Sequence, residues 1–398
     1  MVLSQEPTTN VVKKSRYNYQ LSEIIRQRAW VEIDQGALSH NVRQLRAFLS
    51  PSTELMAVVK ADAYGHGAIT VAQTVLRSGA TRLAIATLGE GIELREAGII
   101  APIVVLGAVN NPEEIAALCH WNLEPTICTP QQAITFSKTL AELEQTLLVH
   151  LKLDTGMSRL GTLWHQATEF VTLVHKLPYL KIVSIYSHLA TADDPDPTVM
   201  KMQQKRFEDA IHQIKAMGID PPCLHLANSA AVLSDRSLHY DLVRVGLAMY
   251  GLYPAPHLES TINLKPVLQV KAKITQVKTL AAGTGVSYGY QYISKQDIKI
   301  AVVSIGYADG IPRNLSNRLK VLLRGQFVQQ IGAITMDQMM LDVSNLPDVE
   351  VGEIVTLIGF DGKNSISADD WANALGTISW EILCSFKHRL PRIGKRLD

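Results

Sequence analysis

The feature that most constrains the fold of this chain is the alternation of short apolar runs with helix-period segments between about residues 30 and 250. In one such segment Leu38, Val42 and Leu45 recur at i, i+4 and i+7, the spacing that places side chains on one helix face. This repetition favours parallel strands, either in a closed (β/α)8 barrel or in a doubly wound sheet. The candidate strands are 30–33, 55–59, 83–86, 103–106, 125–128, 147–153, 182–186, 223–227 and 241–245.

These nine runs are one more than a (β/α)8 barrel holds, and we therefore expect residues 30–33 to pair outside it. No G-x-G-x-x-G sequence follows the first strand, which argues against a dinucleotide-binding sheet. After about residue 262 the pattern changes to alternating, β-rich runs separated by turn pairs such as Arg324-Gly325. The predicted fold class is α/β, a (β/α)8 TIM barrel followed by a smaller, mainly-β C-terminal domain. The predicted boundaries are a flexible N-terminal extension over 1–27, the barrel over 28–262 and the β domain over 263–398.

Composition excludes several classes of function. The net charge of the 398-residue chain is +1, so binding to nucleic acid or to a membrane surface is not expected. The four cysteines are scattered and form no C-x-x-C pair, which is typical of reduced thiols, and no metal site is expected. No apolar run reaches the roughly 18 residues of a membrane helix, and the first 27 residues lack the apolar core of a secretory signal. We therefore expect a cytoplasmic protein.

Lys60 follows the apolar run 55–59 and opens a turn that continues to Gly67. Active-site groups of (β/α)8 barrels project from the C-terminal ends of strands. A lysine behind a buried strand is partly desolvated, which disfavours the ammonium form and frees the amine to attack a carbonyl. The alternative is an exposed lysine at a strand end.

Further polar residues follow later strands of the predicted barrel. Ser229 and Gly246 could give a phosphate a hydroxyl and a closely approaching backbone, at the loops where such barrels often bind one. A helix N-cap and an ordinary turn explain these two residues equally well. Arg159 suits a carboxylate or phenolate because its planar fork donates in pairs. His188 is also compatible with a core histidine.

Ordered sequence blocks resemble those of the alanine racemase family. The segment 57–67, AVVKADAYGHG, is similar to the family's attachment signature for pyridoxal 5'-phosphate (PLP). The resemblance covers nearly everything from Trp30 to Arg392. It continues in segments 152–161, 188–193, 227–229, 244–251, 286–289, 306–310 and 336–338.

The resemblance implies roles for four residues. Lys60 would hold PLP covalently and exchange the Cα proton of alanine on one face, and Tyr288 would do so on the other. These two residues would come from different subunits, so a homodimer with shared active sites is expected. His188 would lie beside the phenol and link it to Arg244, which would face the pyridine nitrogen of PLP. An arginine stays protonated, so it should keep that nitrogen unprotonated.

The remaining site residues are likewise implied by the resemblance. Arg159 would lie near the PLP phenolate and the substrate carboxylate, and Lys152 matches a lysine that is often carbamylated. A carbamate would replace the repulsion between Lys152 and Arg159 by attraction; the alternative is a solvent-facing lysine. Met336 of the other subunit would offer its backbone N–H to the substrate carboxylate. The cofactor-binding positions would be Lys60, Tyr64, Asn228, Ser229, Arg244 and Gly246, with Tyr307 and Asp309 at the mouth of the site.

Trp380 departs from the family, in which many members carry a tyrosine whose hydroxyl contacts the phosphate. An indole offers only an N–H donor, so we leave Trp380 outside the predicted binders. The expected reaction is the interconversion of L-alanine and D-alanine, which supplies D-alanine for peptidoglycan. The alternatives are a serine or broad-specificity amino-acid racemase, a decarboxylase with the same cofactor, and a non-catalytic PLP-binding protein. A decarboxylase would oppose the pyridine nitrogen with an acidic residue rather than with Arg244.

Overall fold

The computed structural model describes residues 28–386 and 388–395, so the predicted extension over 1–27 lies outside the described residues. Strands and helices alternate in the first part of the chain. The strands are β1 (Ala29–Asp34), β2 (Glu54–Val58), β3 (Arg82–Ile85), β4 (Ile103–Ala108), β5 (Glu124–Ile127), β6 (Leu147–Asp154), β7 (Leu180–Tyr186), β8 (Leu224–His225) and β9 (Leu242–Val245). The helices are α1 (Gln35–Phe48), α2 (Ala68–Arg77), α3 (Leu88–Glu96), α4 (Pro112–His120), α5 (Pro130–Leu143), α6 (Ala167–Lys176), α7 (Thr198–Ala216) and α8 (Ser229–Ser234).

Strands β2 to β9 form a closed parallel barrel. They pair in chain order from β2 to β8, and β9 pairs with β2. Backbone hydrogen bonds close the ring between β8 and β9, where Asp241 N donates to Leu224 O and Arg244 N donates to Ala227 O. The predicted (β/α)8 barrel is therefore confirmed, and the doubly wound sheet is wrong.

Several barrel helices begin where the sequence supplies a capping side chain. Asp34, Asn111 and Thr129 each accept a hydrogen bond from the backbone of the first turn, at the starts of α1, α4 and α5. Helices α4 and α5 also begin with proline, whose missing N–H costs nothing at that position. Because β2 to β9 run parallel, the loops that precede these helices and follow the barrel strands lie at the same end of the barrel.

The second part of the chain is mainly β, as predicted. Its strands are β10 (Leu268–Leu280), β11 (Ile298–Val303), β12 (Lys320–Leu323), β13 (Gln326–Ile331), β14 (Met339–Asp342), β15 (Ile354–Asp361), β16 (Asn364–Ile366) and β17 (Arg392–Lys395), with helices α9 (Ala368–Leu375) and α10 (Ser379–Ser385). Antiparallel pairing runs β10-β11-β14-β13-β12-β15, and β15 pairs back with β10, which closes a ring of six strands. Two-residue strands are Thr162–Leu163, which pairs with β6, and the pair Gly285–Val286 and Tyr292–Ile293.

Strand β1 belongs to the sheet of the second part rather than to the barrel. It pairs antiparallel with β10 and parallel with β17. The expectation that residues 30–33 pair outside the barrel is confirmed. The boundary between 262 and 263 stays a prediction. None of the helices in the described ranges combines the length and the apolar character that crossing a membrane requires.

Candidate active site

The C-terminal ends of the barrel strands surround a cavity of about 680 Å3. Among the described residues, four cations line it, Lys60, Lys152, Arg159 and Arg244, against one carboxylate, that of Asp193. This excess of positive charge suits an anionic ligand such as a phosphate or a carboxylate. The other predicted site residues on its wall are Tyr64, His188, Asn228, Ser229 and Gly246.

Lys60 follows strand β2 and begins an unusual turn. The four residues from Ala61 to Tyr64 all have φ between 52° and 54°, which makes this segment a left-handed helical turn. Outside interactions hold it: Ala61 N donates to Glu90 Oε1 at 2.7 Å, and Asp62 Oδ1 accepts from Ala68 N at 2.7 Å. Burial, followed by the charge of Arg159, lowers the pKa of the Lys60 amine.

Arg244 lies in the barrel interior, beside His188. Its Nη2 donates to Ser187 O at 2.7 Å, and it lies 2.9 Å from Leu226 O and 3.2 Å from His188 Nδ1, so these two acceptors share its second N–H. Burial lowers the pKa of Arg244 to about 10. Burial, and then the charge of Arg244, hold the pKa of His188 well below its usual value, so the ring is neutral. Because a guanidinium only donates, His188 Nδ1 accepts and Nε2 carries the proton.

Lys152 and Arg159 differ in their surroundings. The Lys152 side chain is buried, its Nζ lies 5.6 Å from the ring centre of Tyr186, and burial lowers its pKa to about 8. Arg159 is exposed, on a loop held by Asp154 Oδ1, which accepts from the backbone N–H groups of two loop residues, Gly156 and Ser158. The alternative of a solvent-facing Lys152 is therefore wrong, because its strand position directs it into the barrel.

Ser229 and Gly246 lie next to each other, as the predicted phosphate site requires. Gly246 N donates to Ser229 Oγ at 3.0 Å. A Cβ at residue 246 would lie 2.6 Å from the Tyr64 hydroxyl, so only glycine lets that hydroxyl lie against this backbone. The side chain of Asn228, rather than that of Ser229, caps helix α8 by accepting from Ala231 N. The Ser229 hydroxyl consequently faces Gly246 and the cavity.

Tyr288 and Met336 lie on the β domain and not on the cavity wall of their own chain. Tyr288 is 70% exposed and Met336 is 52% exposed. Ser287, directly before the tyrosine, has a φ of 64°, and its Oγ donates to Ala333 O at 2.8 Å. One chain therefore does not bring the Tyr288 phenol to Lys60.

Of the two residues expected at the mouth of the site, Asp309 differs from its predicted position. Asp309 is fully buried and accepts two hydrogen bonds from Arg28, at 2.6 and 2.9 Å, so it is a structural ion-pair partner rather than a carboxylate at the mouth of the site. Tyr307, two residues earlier, is 41% exposed. Trp380, on α10, lines the cavity together with Cys384.

The sequence interpretation missed polar residues in the barrel core beneath Arg244. His225 stacks on Tyr186 with ring centres 4.6 Å apart and planes at 7°, and Arg244 Cζ lies 5.1 Å from the same tyrosine ring. The signal was a polar residue at every second position of otherwise apolar strands, which marks the inner face of a barrel. This pattern is seen at Glu124 and Thr126 in β5, His150 and Lys152 in β6, and Ser184 and Tyr186 in β7.

Comparisons with known proteins agree along both parts of the chain. The family model "Alanine racemase, N-terminal domain" matches residues 33–254, and "Alanine racemase, C-terminal domain" matches residues 267–394. The alanine racemase of Nostoc sp. is 67% identical over 370 residues, which is 92% of this chain and 96% of that protein. That of Synechocystis sp. is 65% identical over 370 residues, 93% of this chain and all of that protein.

Solved structures show the same fold. The alanine racemase from Bacillus anthracis with bound L-Ala-P has a TM-score of 0.87 and 37% identity, covering 92% of this chain and 95% of that one. A histidine racemase from Leuconostoc mesenteroides has a TM-score of 0.85 and 31% identity, covering 92% of this chain and 98% of that one. The family models and the high identity over nearly the full length together show that this chain belongs to the alanine racemase family.

Proposed function

We propose that this chain is a PLP-dependent racemase that interconverts L-alanine and D-alanine with two bases on opposite faces of the substrate. The observation that carries this proposal is the electropositive cavity with the desolvated Lys60 amine on its wall. Family membership supports racemisation of alanine. The cavity residues support the cofactor and the assignment of each base.

The residues present fit PLP. The Lys60 amine would hold its aldehyde carbon, and the Ser229 hydroxyl, the Gly246 backbone and the Tyr64 hydroxyl would receive its phosphate, with Asn228 shaping the same loop. Glycine at position 246 lets the Tyr64 hydroxyl lie against the same backbone that contacts the Ser229 hydroxyl, so both hydroxyls meet at one point of the cavity wall. When bound, PLP withdraws electrons from the attached amino acid and makes its Cα proton acidic. Arg244 would face the ring nitrogen, where it can donate but cannot accept a proton.

Lys60 serves as the base on one face. Burial and the positive charge of Arg159 lower the pKa of its amine, so a larger neutral fraction can accept a proton near neutral pH. Arg159, exposed on the cavity wall, binds the substrate carboxylate and fixes the Cα–H bond relative to that amine. Arg159 therefore assists proton transfer by Lys60 in two ways. Together with burial, its charge lowers the pKa of the amine, and its contact with the substrate carboxylate positions the Cα–H bond.

Tyr288 of the partner subunit serves as the base on the other face. A phenol is a weak base at its ordinary pKa near 10, so the phenolate needs stabilisation. His188 supplies it: Nδ1 accepts from Arg244, so Nε2–H is free to donate to the phenolate oxygen. His188 therefore stabilises the negative charge and does not take the proton itself.

A homodimer accounts for the exposure of the second base. Tyr288, Tyr290, Ile293 and Met336 are all more than half exposed on the β domain. Exposed apolar side chains of this number mark interaction surfaces in soluble proteins. A two-fold axis would bring this surface of each subunit to the cavity of the other, with the Met336 backbone N–H near the substrate carboxylate.

The substrate is proposed to be alanine, with serine or a broader range of amino acids as the second candidate. The likeness to a histidine racemase means that the fold alone does not select the side chain. A small pocket rejects large side chains sterically but rejects an added hydroxyl only weakly. Racemisation rates for a panel of L-amino acids, with and without added PLP, distinguish these candidates. The proposed cellular role is the supply of D-alanine for peptidoglycan in the cytoplasm.

Mixing two inactive variants tests the shared site. Lys60→Ala and Tyr288→Phe each remove one base, and both homodimers should lose nearly all racemisation. Subunits exchanged at random should recover about one quarter of the wild-type rate, because half of the dimers are mixed and each mixed dimer has one intact site. The measurement is the racemisation of L-alanine before and after subunit exchange.

Borohydride reduction of the PLP-loaded Tyr288→Phe variant, followed by peptide mapping, is the control for cofactor binding. The label should appear on Lys60. Absence of recovery on mixing, with both variants dimeric and the label on Lys60, would place both bases in one subunit.

A further inference from the structure

A line of buried polar side chains runs through the barrel core, from Arg244 towards the N-terminal ends of the strands. Arg244 Nη1 lies 2.8 Å from His225 Nδ1, and His225 Nε2 lies 2.9 Å from Ser184 Oγ. Ser184 Oγ lies 2.6 Å from His150 Nδ1, and His150 Nε2 lies 2.8 Å from Glu124 Oε2. All five residues are at most 7% exposed, so water does not replace these partners.

The protons of this line follow from the chemistry of its two ends. The guanidinium of Arg244 only donates, so His225 Nδ1 accepts and its Nε2 carries the proton. That Nε2–H donates to Ser184, whose hydroxyl donates to His150 Nδ1. His150 then carries its proton on Nε2 and donates to the carboxylate of Glu124, which only accepts. With this direction every group along the line has a partner.

We propose that Glu124, His150 and Ser184 are positioning residues that fix the direction of this line and thereby hold Arg244 in its working orientation. In the reversed direction His225 would present an N–H to the N–H groups of Arg244, two donors face to face in a dry site. A carboxylate at the far end excludes that arrangement because it cannot donate. The stacked ring of Tyr186 keeps His225 in the plane in which Nδ1 reaches Arg244.

Arg82 anchors Glu124, the residue at the far end of the line. Arg82 Nη1 lies 3.4 Å from Glu124 Oε2, and Arg82 Nε lies 3.1 Å from Glu54 Oε2. Glu54 shares the arginine but does not touch the line. Glu54→Gln is therefore a matched control for the loss of one carboxylate at this end of the barrel.

The role of Arg244 towards the cofactor rests on the proposed function, but the proton positions do not. Nitrogen NMR of the PLP-loaded enzyme labelled with [15N]histidine reads them directly, with signals assigned by single His→Gln substitutions. We expect His225 and His150 each to carry a proton on Nε2 and none on Nδ1. A proton on His225 Nδ1, or a doubly protonated His150, would overturn the proposal whether or not the enzyme racemises alanine.

Glu124→Gln tests the exclusion of the reversed direction. Its amide can donate to His150 Nε2, so a fraction of His150 should move its proton to Nδ1. The kcat for alanine should fall roughly threefold to tenfold, the worth of one hydrogen bond, while KM changes less than twofold. Glu54→Gln should leave the histidine signals and kcat unchanged. Equal kcat values and unchanged histidine signals in the two variants would contradict the proposal.

Ser184→Ala and Ser184→Thr form a second pair. Alanine breaks the line, so kcat should fall roughly threefold to tenfold and His225 should no longer carry its proton on Nε2 alone. Threonine keeps the hydroxyl, so kcat and the His225 proton position should match those of the wild type. Unaltered kcat and His225 signals in the alanine variant would show that the line is only structural. If Ser184→Ala fails to fold, the proton positions in the wild type and the comparison of Glu124→Gln with Glu54→Gln still test the proposal.

Discussion

Lys152 is a buried cation among other cations, and its environment favours a chemical change. Burial is the main cause that lowers its pKa to about 8, and the charges of Arg244 and Arg159 act in the same direction. About a tenth of the amine is then neutral at pH 7, far more than for an ordinary lysine with a pKa near 10.5. Only the neutral amine reacts with CO2, and the resulting carbamate would be an anion facing these two arginines.

We predict that Lys152 is carbamylated when CO2 is supplied. Carbon NMR of the enzyme under 13CO2 at fixed pressure should show a carbamate signal that grows from about pH 6 to about pH 9, as the neutral fraction rises through the lowered pKa. Lys152→Met is the control and should lack the signal. A wild-type spectrum identical to that of this variant would mean that the amine stays unmodified.

At the residue scale, the sequence predicted which residues line the cavity better than it predicted which residues each of them contacts. Lys60, Arg159 and Arg244 were each found from a polar residue at the end of an apolar strand, and they line one cavity. The position of Tyr288 relative to Lys60 could not follow from the sequence, because the structure places it on the outer surface of its own chain. His225 was overlooked because its partners Arg244, Ser184 and Tyr186 come from two other strands, β9 and β7, and only the closed barrel brings these together.

The left-handed turn after β2 is the element that presents Lys60. Four L-residues in this conformation cost roughly 1–2 kcal/mol each, and hydrogen bonds to Glu90 and to the start of α2 help to offset that cost. The sequence does not predict this turn, because Ala61, Asp62 and Ala63 are not glycines and normally adopt negative φ. These hydrogen bonds hold the turn that begins at Lys60.

We predict that Ala61→Gly stabilises the protein by about 0.5–1 kcal/mol, because glycine adopts positive φ without a Cβ clash. Thermal unfolding should show a midpoint raised by about 1–2 °C. Ala47→Gly, in the right-handed helix α1, is the matched control and should lower the midpoint. A lower midpoint for both variants would indicate that the Ala61 methyl makes contacts worth more than the strain.

At the element scale, strand and helix positions followed closely from periodicity, whereas strand ends did not. Residues 223–227 were predicted as one strand, yet β8 contains only Leu224 and His225. The difference arises because Ala227 turns towards β9 and Asn228 begins the cap of α8. Site loops begin at such ends, so local hydrogen bonds override strand propensity there.

At the scale of the whole molecule, activity should depend on association of two subunits. We predict that Ile293→Lys, on the exposed surface that carries Tyr288, weakens the dimer and makes specific activity fall on dilution. Sedimentation velocity and racemisation measured over the same concentration range test this. Ile100→Lys changes an exposed isoleucine of the barrel and should alter neither. A monomeric Ile293→Lys variant with full activity would contradict the shared site.

Strand β1 can pair with its neighbours in the sheet only after the C-terminal part of the chain has been synthesised. β1 is made early, but its partners β10 and β17 lie more than 230 residues further along the chain. During synthesis the barrel can close while β1 still offers two unpaired edges to other chains. Cutting the gene near residue 262 would therefore not yield two independent folding units. A separately expressed barrel would keep an orphan strand prone to aggregation, and a separately expressed β domain would lack the strand that bridges β10 and β17.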